Sequence, residues 1–460
     1  MSEGMPALPA PALLRRSIGL TGTVAIVVGG VIGMGIFVLV APMAALAGEM
    51  LWLAITVAVV LSMACALPLI QLASALPRAG GGYFFVSRMF TPYLGALTSH
   101  CGVLGGAFSS ALVTKGLASY LVEQSGFDVS PNAVGVVILA LLYCVYRFGL
   151  RLATQVQALL VAQLLLALGI YVFRGATRSG VALSFTLPQG AGPFFMAVLL
   201  AYTLSMGAQA LAEIGEEVRD ARRTIPLALL ISGGIILAVY VAVTGVFLRA
   251  VPYDYDAYQV MRAPLATSAA NFLGPHSLLF LNIAAVSAGL TSLNAAASSL
   301  PRELFAQARD GLLSPWLATI HAPTGTPMNA VTVYCFLAGL LTITPISIAF
   351  CGYMVAVGIM MLSIPISLAA LRLRSRYPER FQSAFVHFPN TALWVCVILA
   401  TLCSAGFITL VAFEAPLVLL IYMMWAILVS AGYLHARKRL EARGIDLAAI
   451  AREIPGYNAN

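Results

Sequence analysis

Uncharged stretches of about twenty residues recur along the whole 460-residue chain. An α-helix of that length spans the roughly 30 Å hydrocarbon core of a bilayer. Only 9% of the residues are charged, against about 25% in soluble domains, so the chain cannot cover itself with a polar surface. The sequence therefore predicts an all-α polytopic membrane protein without a soluble domain.

Polar breaks divide the chain into twelve apolar segments, each of which is a predicted transmembrane helix. Their approximate bounds are 18–47, 50–76, 93–121, 133–148, 153–173, 192–213, 226–250, 277–308, 329–346, 348–371, 391–412 and 415–434. When alternate loops are assigned to opposite sides, most lysines and arginines fall on one side, which the positive-inside rule makes cytoplasmic. We therefore expect a multi-pass protein of the cytoplasmic (inner) membrane with both termini cytoplasmic. Its net charge of +8 is expected to meet anionic membrane lipids, not nucleic acid.

Two of the predicted helices contain interruptions. The stretch "VVGGVIGMGIF" (27–37) has four glycines in seven positions, and "AYTLSMGAQALAEIGEEV" (201–218) has Gly207 among polar residues. Matching interruptions in two halves of a chain favour an inverted repeat of five plus five helices with the binding site between them. The expected organisation is an N-terminal arm (1–17), a first repeat of helices 1–5 (18–173), a second repeat of helices 6–10 (192–371), helices 11–12 (391–434) and a cytoplasmic tail (435–460).

A helix break at the glycines of the first segment would have a chemical use. In hydrocarbon, each unpaired backbone group is unfavourable by several kcal/mol, so a break must be buried or line a wet cavity. The N–H groups that begin the second half-helix suit a carboxylate, and the carbonyls that end the first half suit an ammonium group. Together they would bind an α-amino acid. The alternative is that the glycines form a small-residue packing face, and spacing alone leaves both interpretations open.

Four stretches resemble signatures of the amino acid–polyamine–organocation (APC) transporters. "GGVIGMGIF" is similar to the family's first helix, with a G-x-G core followed by an apolar–aromatic pair. Its loop after helix 2, its segment after helix 6 and its helix 8 are similar to "LASALPRAGGGYFFVSRMF" (72–90), "EEVRDARRTIPLAL" (216–229) and "SLNAAASSLPRELFAQARDGLLSP" (292–315). The likeness covers residues 18 to about 435.

This resemblance implies a bacterial amino acid permease with a LeuT-like fold, broken helices 1 and 6, and alternating access. It implies that the N–H groups of Gly33, Met34 and Gly35 meet the substrate carboxylate, and that carbonyls near Val31 in helix 1 and in helix 6 meet the amine. The substrate-binding residues carried over by position are Val31, Ile32, Gly33, Met34, Gly35, Tyr202, Thr203, Ser205, Met206, Gly207 and Gln209. The chain departs from the family where Ser205 and Met206 replace a bulky aromatic gate, and where Gln209 replaces a carboxylate.

Few polar residues are candidates for ion coupling or gating. Several proton-coupled members carry a lysine in helix 5, and alignment puts Gln163 at or near that position. A sodium site would need carbonyls of helix 1 and a hydroxyl of helix 8, for which Ser292 is best placed by the family pattern. Lys115 either snorkels to the interface or gates transport, and Glu213 either lies on a solvated or arginine-paired face or acts as a gate. Proton symport, sodium coupling and exchange without an ion all remain open.

A small-molecule substrate is expected, and a neutral amino acid fits best, because no acid or arginine lies deep in the helices that would form the pocket. A polyamine or basic amino acid transporter is the alternative, and so is an amino acid sensor of the same fold that does not transport. An enzyme is not expected, because no convergent nucleophile, base or metal ligands are present. We expect no cofactor and, apart from the sodium hypothesis at Ser292, no metal.

Overall fold

A computed structural model of the chain describes residues 14–125, 129–178, 186–205, 207, 209–261, 263–451 and 454. Within these residues the chain forms α-helices and two short 3-10 helices and no β-strand, as the all-α prediction requires. The predicted arm (except residues 14–17), Met206 and the end of the predicted tail (452–453 and 455–460) lie outside the described residues. The helices are α1 (Leu20–Ile32), α2 (Gly35–Ala47), α3 (Leu51–Ala75), α4 (Gly81–Met89), α5 (Pro92–Ser125), α6 (Pro131–Arg147), α7 (Leu150–Arg178), α8 (Ala191–Leu204), α9 (Gln209–Glu213), α10 (Ala221–Ala250), α11 (Tyr255–Val260), α12 (Pro264–Ala270), α13 (Pro275–Ser299), α14 (Pro301–Arg309), α15 (Met328–Ile343), α16 (Ile348–Arg376), α17 (Pro378–Gln382), α18 (Asn390–Glu414), α19 (Pro416–Glu441) and α20 (Leu447–Ile450).

Every apolar segment recognised in the sequence coincides with one or two of these helices. Eight stretches of the described chain are long and apolar enough to cross a membrane, and the first of them runs through α2 and α3 from Gly35 to Ala75. Four shorter helices of 10–17 residues, α1, α6, α8 and α15, are apolar as well. These lengths agree with the predicted polytopic membrane architecture.

Prolines mark where several of the long helices begin. Pro92, Pro131, Pro275 and Pro416 are the first residues of α5, α6, α13 and α19. The first turn of a helix leaves its N–H groups without an intrahelical acceptor, so a residue that lacks an N–H is tolerated there. Each proline therefore removes one of the backbone donors that would otherwise lack a partner at the start of its helix.

Glycines bring α5 and α16 into close contact. A Cβ atom on Gly105 of α5 would lie 3.0 Å from the Cα atom of Gly358 on α16. The Tyr422 hydroxyl of α19 donates to the Met354 carbonyl at 2.7 Å beside this contact. Transmembrane helices associate through such small-residue contacts, because lipid tails are as apolar as the helices themselves.

Charged side chains are buried at the end of the molecule where α4, α9 and α14 meet. Arg88 pairs with Asp310, Arg302 with Glu217 at 2.9 Å, and Arg309 with Glu216 at 3.0 Å. Together with three further residues of the same region they form what we call the ion cluster: Glu213, Glu216, Glu217, Glu303, Asp310, Arg78, Arg88, Arg302 and Arg309.

The arginines of the ion cluster contribute to the net positive charge that was expected to meet anionic lipids, and the structure corrects that expectation for them. The Arg88 and Arg302 side chains are 1% and 0% exposed, so lipid headgroups have no access to them. The sequence also missed α4 itself, which lies in a stretch read as a loop, and all of whose residues are buried. The chain segment before α1 joins the same region, since the N–H groups of Ser17 and Ile18 donate to the Glu217 carbonyl.

Arg302→Met is expected to destabilise the protein by about 3–5 kcal/mol, because it leaves the Glu217 carboxylate buried without its bidentate partner. The measurement is thermal unfolding of the purified protein in detergent. The matched control is Arg437→Met, which breaks the ion pair with Glu441, whose two side chains are 55% and 52% exposed. Exposed pairs contribute about 0–1 kcal/mol, so equal destabilisation by the two variants would contradict the prediction.

Candidate functional site

The first apolar segment is interrupted between α1 and α2. Helix α1 ends at Ile32 and α2 begins at Gly35, with Gly33 and Met34 between them. Gly33 has φ +36°, a region that residues with a Cβ atom rarely adopt. The first N–H groups of α2 have no acceptor within their own helix. The Phe37 N–H donates to the Met34 carbonyl, which precedes α2, at 3.1 Å.

A second interruption separates α8 from α9. Helix α8 ends at Leu204, and α9 begins at Gln209. The Ser205 carbonyl between them accepts a hydrogen bond from the Ser62 hydroxyl of α3 at 3.0 Å. Buried Tyr202 and Gly207 line a cavity of about 30 Å³ on this side, together with Ser62. That volume has room for water but not for an amino acid.

The two interruptions lie against each other. A Cβ atom on Gly207 would overlap the Val31 side chain of α1, and one on Gly35 would overlap the Leu204 side chain of α8. A Cβ atom on Gly33 would overlap the hydroxyl of Ser292 on α13. The glycines thus allow the start of α2, the end of α8 and one face of α13 to meet in the middle of the helical bundle.

Neighbouring helices bond carbonyls in the last turns of α1. The Tyr240 hydroxyl of α10 donates to the Val31 carbonyl at 2.8 Å, and the Thr291 hydroxyl of α13 donates to the Gly29 carbonyl at 3.1 Å. Tyr240 was not singled out from the sequence as a site residue. A carbonyl oxygen has two lone pairs, so the Val31 carbonyl retains one for a further donor.

The remaining site residues proposed from the sequence lie around the same interruptions. Ile32 is fully buried, Met34 is half-buried, and the Thr203 hydroxyl bonds the Leu200 carbonyl of its own helix at 2.7 Å. The Ser205 hydroxyl likewise bonds the Ala201 carbonyl at 2.9 Å. Gln209 is the first residue of α9.

The amide of α7 that faces α1 is Gln157, not Gln163. The Gln157 side chain is fully buried and donates to the carbonyls of Ala25 and Thr291, each at 3.2 Å. Gln163, which the alignment put beside the break, instead donates to the Phe280 carbonyl of α13 at 3.4 Å. The sequence analysis singled out a glutamine of α7, Gln163, but it did not single out Gln157.

Lys115 and Glu213 are placed differently from each other. The Lys115 ammonium donates to the carbonyls of Thr344 and Ile346 at 2.6 and 2.9 Å, just beyond the C-terminal end of α15. A cation there satisfies carbonyls and the negative end of the helix dipole.

Glu213 is 3% exposed, which excludes a solvated face, and its carboxyl group contacts that of Glu303. The Ser292 hydroxyl donates to the Ala288 carbonyl at 3.1 Å.

The sequence profile of the amino acid permease family matches residues 18–432. An uncharacterized transporter of Mycobacterium tuberculosis is 32% identical over 329 residues, which are 70% of this chain and 72% of that protein. A branched-chain amino acid permease of Bacillus subtilis is 23% identical over 90% of this chain and 93% of its own length. A chloroplastic cationic amino acid transporter of Arabidopsis thaliana is 25% identical over 75% of this chain and 65% of its own length.

The chain therefore belongs to the amino acid permease family of the APC superfamily. This confirms the family inferred from the sequence motifs, and it confirms that the protein is a multi-pass membrane transporter and not an enzyme.

Gly29→Ala is expected to destabilise the protein by about 1–3 kcal/mol, the usual effect of overpacking. Its Cβ atom would overlap the Gln157 amide and lie 2.8 Å from side-chain carbons of Thr291 and Val161. The control is Gly169→Ala on α7, whose Cβ atom would meet nothing within 4 Å. Thermal unfolding in detergent distinguishes them, and a neutral Gly29→Ala would refute this close packing of α1 against α7 and α13.

Proposed function

We propose that the protein is a secondary transporter that moves neutral amino acids across the cytoplasmic membrane by alternating access, with the substrate bound where the two interruptions meet. The observation that carries the proposal is the contact of Gly207 with Val31 and of Gly35 with Leu204, which brings two freed helix ends together.

The substrate's two charged groups fit the two kinds of helix end. The carboxylate would accept hydrogen bonds from the N–H groups of Gly33, Met34 and Gly35, assisted by the positive end of the α2 dipole. The ammonium would donate to the Val31 carbonyl, beside the Tyr240 hydroxyl, and to carbonyls at the end of α8 near Thr203 and Met206. Backbone groups would then recognise what every α-amino acid shares, and side chains would select among them.

Neutral substrates are favoured by the charge distribution. Within the described residues, the buried charged side chains all belong to the ion cluster. The atoms that a Cβ atom on Gly33, Gly35 or Gly207 would meet first all belong to uncharged residues. A charged substrate side chain would therefore be buried without a counter-ion, which is unfavourable by several kcal/mol. The name of the Bacillus relative agrees with a neutral substrate, whereas that of the Arabidopsis relative keeps basic amino acids as the alternative.

The expected topology follows from helix lengths. The 41 residues from Gly35 to Ala75 would extend about 60 Å as one helix, twice the hydrocarbon thickness, so we propose that α2 and α3 belong to two separate passes. The interrupted pair α1 and α2 would form one pass, so the other three short apolar helices, α6, α8 and α15, bring the total to twelve spans. These would be arranged as the two repeats 18–173 and 192–371 plus 391–434. The arginine-rich loops would be cytoplasmic, with the arm (1–17) and the tail (435–460) on the same side.

Transport would proceed by exchange or by symport with a proton. A sodium site at Ser292 is the alternative, since the Ser292 hydroxyl donates its hydrogen to the Ala288 carbonyl and keeps its oxygen lone pairs for a cation.

The test of the function is amino acid uptake into proteoliposomes. A thermal-shift screen of the twenty amino acids and of polyamines first identifies ligands, since a ligand stabilises the state to which it binds. Radiolabelled uptake of each ligand then separates a transporter from a sensor. We expect saturable uptake of neutral amino acids with weak competition by lysine, and preferred uptake of lysine or a polyamine would contradict the neutral assignment.

Gly35→Leu is expected to abolish the ligand-induced thermal shift, because its side chain would fill the position of the substrate carboxylate and displace Leu204. Gly169→Leu, at an open position of α7, is the control and keeps the shift. A monodisperse elution profile on size exclusion shows that both variants are folded. Normal ligand affinity in folded Gly35→Leu would refute the proposed site.

A further inference from the structure

Two carboxyl groups of the ion cluster lie side by side without an arginine of their own. Glu213 on α9 and Glu303 on α14 both accept a hydrogen bond from the Gly82 N–H, at 3.2 and 2.7 Å. Oxygen atoms of both groups therefore lie within 3.2 Å of one nitrogen, and the two carboxyl groups act on each other electrostatically. Their exposures are 3% and 1%, so water does not screen them.

Glu303 is the more fully hydrogen-bonded of the two carboxyl groups. Besides Gly82 it accepts from the Tyr83 N–H at 2.8 Å and from the Ser99 hydroxyl. Both backbone donors belong to the first turn of the nine-residue helix α4, whose dipole favours negative charge there.

Glu213 has the environment of a protonated carboxyl group. Its Oε1 atom accepts from Gly82, whereas its buried Oε2 atom has no hydrogen-bond partner among the described residues. A buried oxygen without a partner is unfavourable by about 1–3 kcal/mol. A proton on Oε2 that is donated to Glu303 removes this penalty and the repulsion between the two charges.

The charge balance of the ion cluster requires the same proton. Glu216, Glu217 and Asp310 each pair with an arginine. The remaining arginine, Arg78, acts electrostatically on Glu216. Five acids against four arginines leave a net charge of −1, and one shared proton makes the buried cluster neutral.

Three consecutive glycines allow this close approach. Gly80 has φ +69°, and a Cβ atom on Gly81 would lie 2.6 Å from the Ala212 carbonyl oxygen. A Cβ atom on Gly82 would lie 2.7 Å from Glu303 Oε1. Any side chain at Gly82 would therefore push the carboxylate away from the start of α4.

A polar chain links the pair to a cavity. Ser99 donates to Glu303 and accepts a hydrogen bond from Gln307 at 3.0 Å. Gln307 lines a cavity of about 220 Å³, together with His100 and the exposed Gly432 of α19. Ser99 and Gln307 therefore connect Glu303 to this cavity by hydrogen bonds.

We propose that Glu213 and Glu303 share one proton and that this proton is the coupling ion of transport. The inference rests on the proposed transport function. Glu213 ends α9, which begins at the second interruption, so a movement of α9 that closes or opens the substrate site also separates or rejoins the two carboxyl groups. The titratable or charged groups that surround the pair on α4, α5, α14 and the flanking segments are His100, Arg78, Arg88, Asp310, Glu216, Glu217, Arg302 and Arg309.

The first test is the pH dependence of thermal stability in detergent. The shared proton exists only in the folded state, and near neutral pH an unfolded glutamate, of pKa about 4.3, does not hold it. Unfolding then releases a proton, and stability falls as the pH rises from 5 to 8. Glu213→Gln supplies an amide donor to Glu303 in place of the proton, so we expect its stability to fall less over this range. Glu414→Gln, at an exposed acid of α18, is the control and keeps the wild-type slope.

Equal slopes for the wild type, Glu213→Gln and Glu303→Gln would overturn the shared proton. So would a stabilisation of the wild type at pH 8 by sodium chloride, but not by choline chloride, that Glu213→Gln abolishes, because the pair would then bind a metal cation.

The second test measures transport of a ligand from the screen in proteoliposomes. We expect an inward proton gradient to stimulate wild-type uptake, with proton entry reported by an internal pH dye. Glu213→Gln is expected to lose this stimulation and to retain exchange at equal pH, whereas Glu414→Gln is stimulated like the wild type.

A wild type without stimulation, or Glu213→Gln with full stimulation, would overturn the coupling role. Failure of the wild type to move any ligand would instead refute the proposed function, and the stability experiment would still decide whether the pair shares a proton.

Discussion

The structure depends on satisfying backbone groups that are freed inside an apolar bundle. Where α1 and α8 end, carbonyls lose their helical partners, and each would be unfavourable by several kcal/mol if it stayed unpaired in hydrocarbon. The hydroxyls of Tyr240, Thr291 and Ser62 donate to the carbonyls of Val31, Gly29 and Ser205. These bonds fix α10, α13 and α3 around the interruptions, so the same requirement that permits a break also determines which helices surround it.

Close contact between the two interruptions requires small residues, and this explains the glycine cluster in the stretch 27–37. Gly29 and Gly30 admit side chains of α7 and α13, Gly33 adopts a positive φ against Ser292, and Gly35 admits Leu204. The packing interpretation and the break interpretation of these glycines were alternatives in the sequence. In the structure they belong to different positions of one cluster, because the glycines within α1 pack and those at its end interrupt the helix.

The sequence was sufficient to predict the long apolar helices, but it was insufficient to predict the contacts between helices. Apolar length determined the spans, and glycine spacing indicated where α1 ends. Gln157 and Gln163 could not be distinguished, because six residues are about 1.7 helical turns and the face that meets α1 depends on tertiary packing. The buried arginines were misread for a related reason: their acidic partners lie 85 to 222 residues away in sequence. The pairing of Glu213 with Glu303 also becomes visible only when α4, α9 and α14 are brought together.

The position of α9 explains how a binding site without charged side chains would still respond to a proton. From Gln209 to Glu213 is about 6 Å of helix, too short a segment to bend between its ends. A substrate that bonds backbone groups at the interruption and a proton held between Glu213 and Glu303 would therefore act on one rigid element. If both favour the same position of α9, each raises the affinity for the other by the same factor. The coupling would then reside in the shared backbone segment, which leaves the substrate pocket free of any ionisable group.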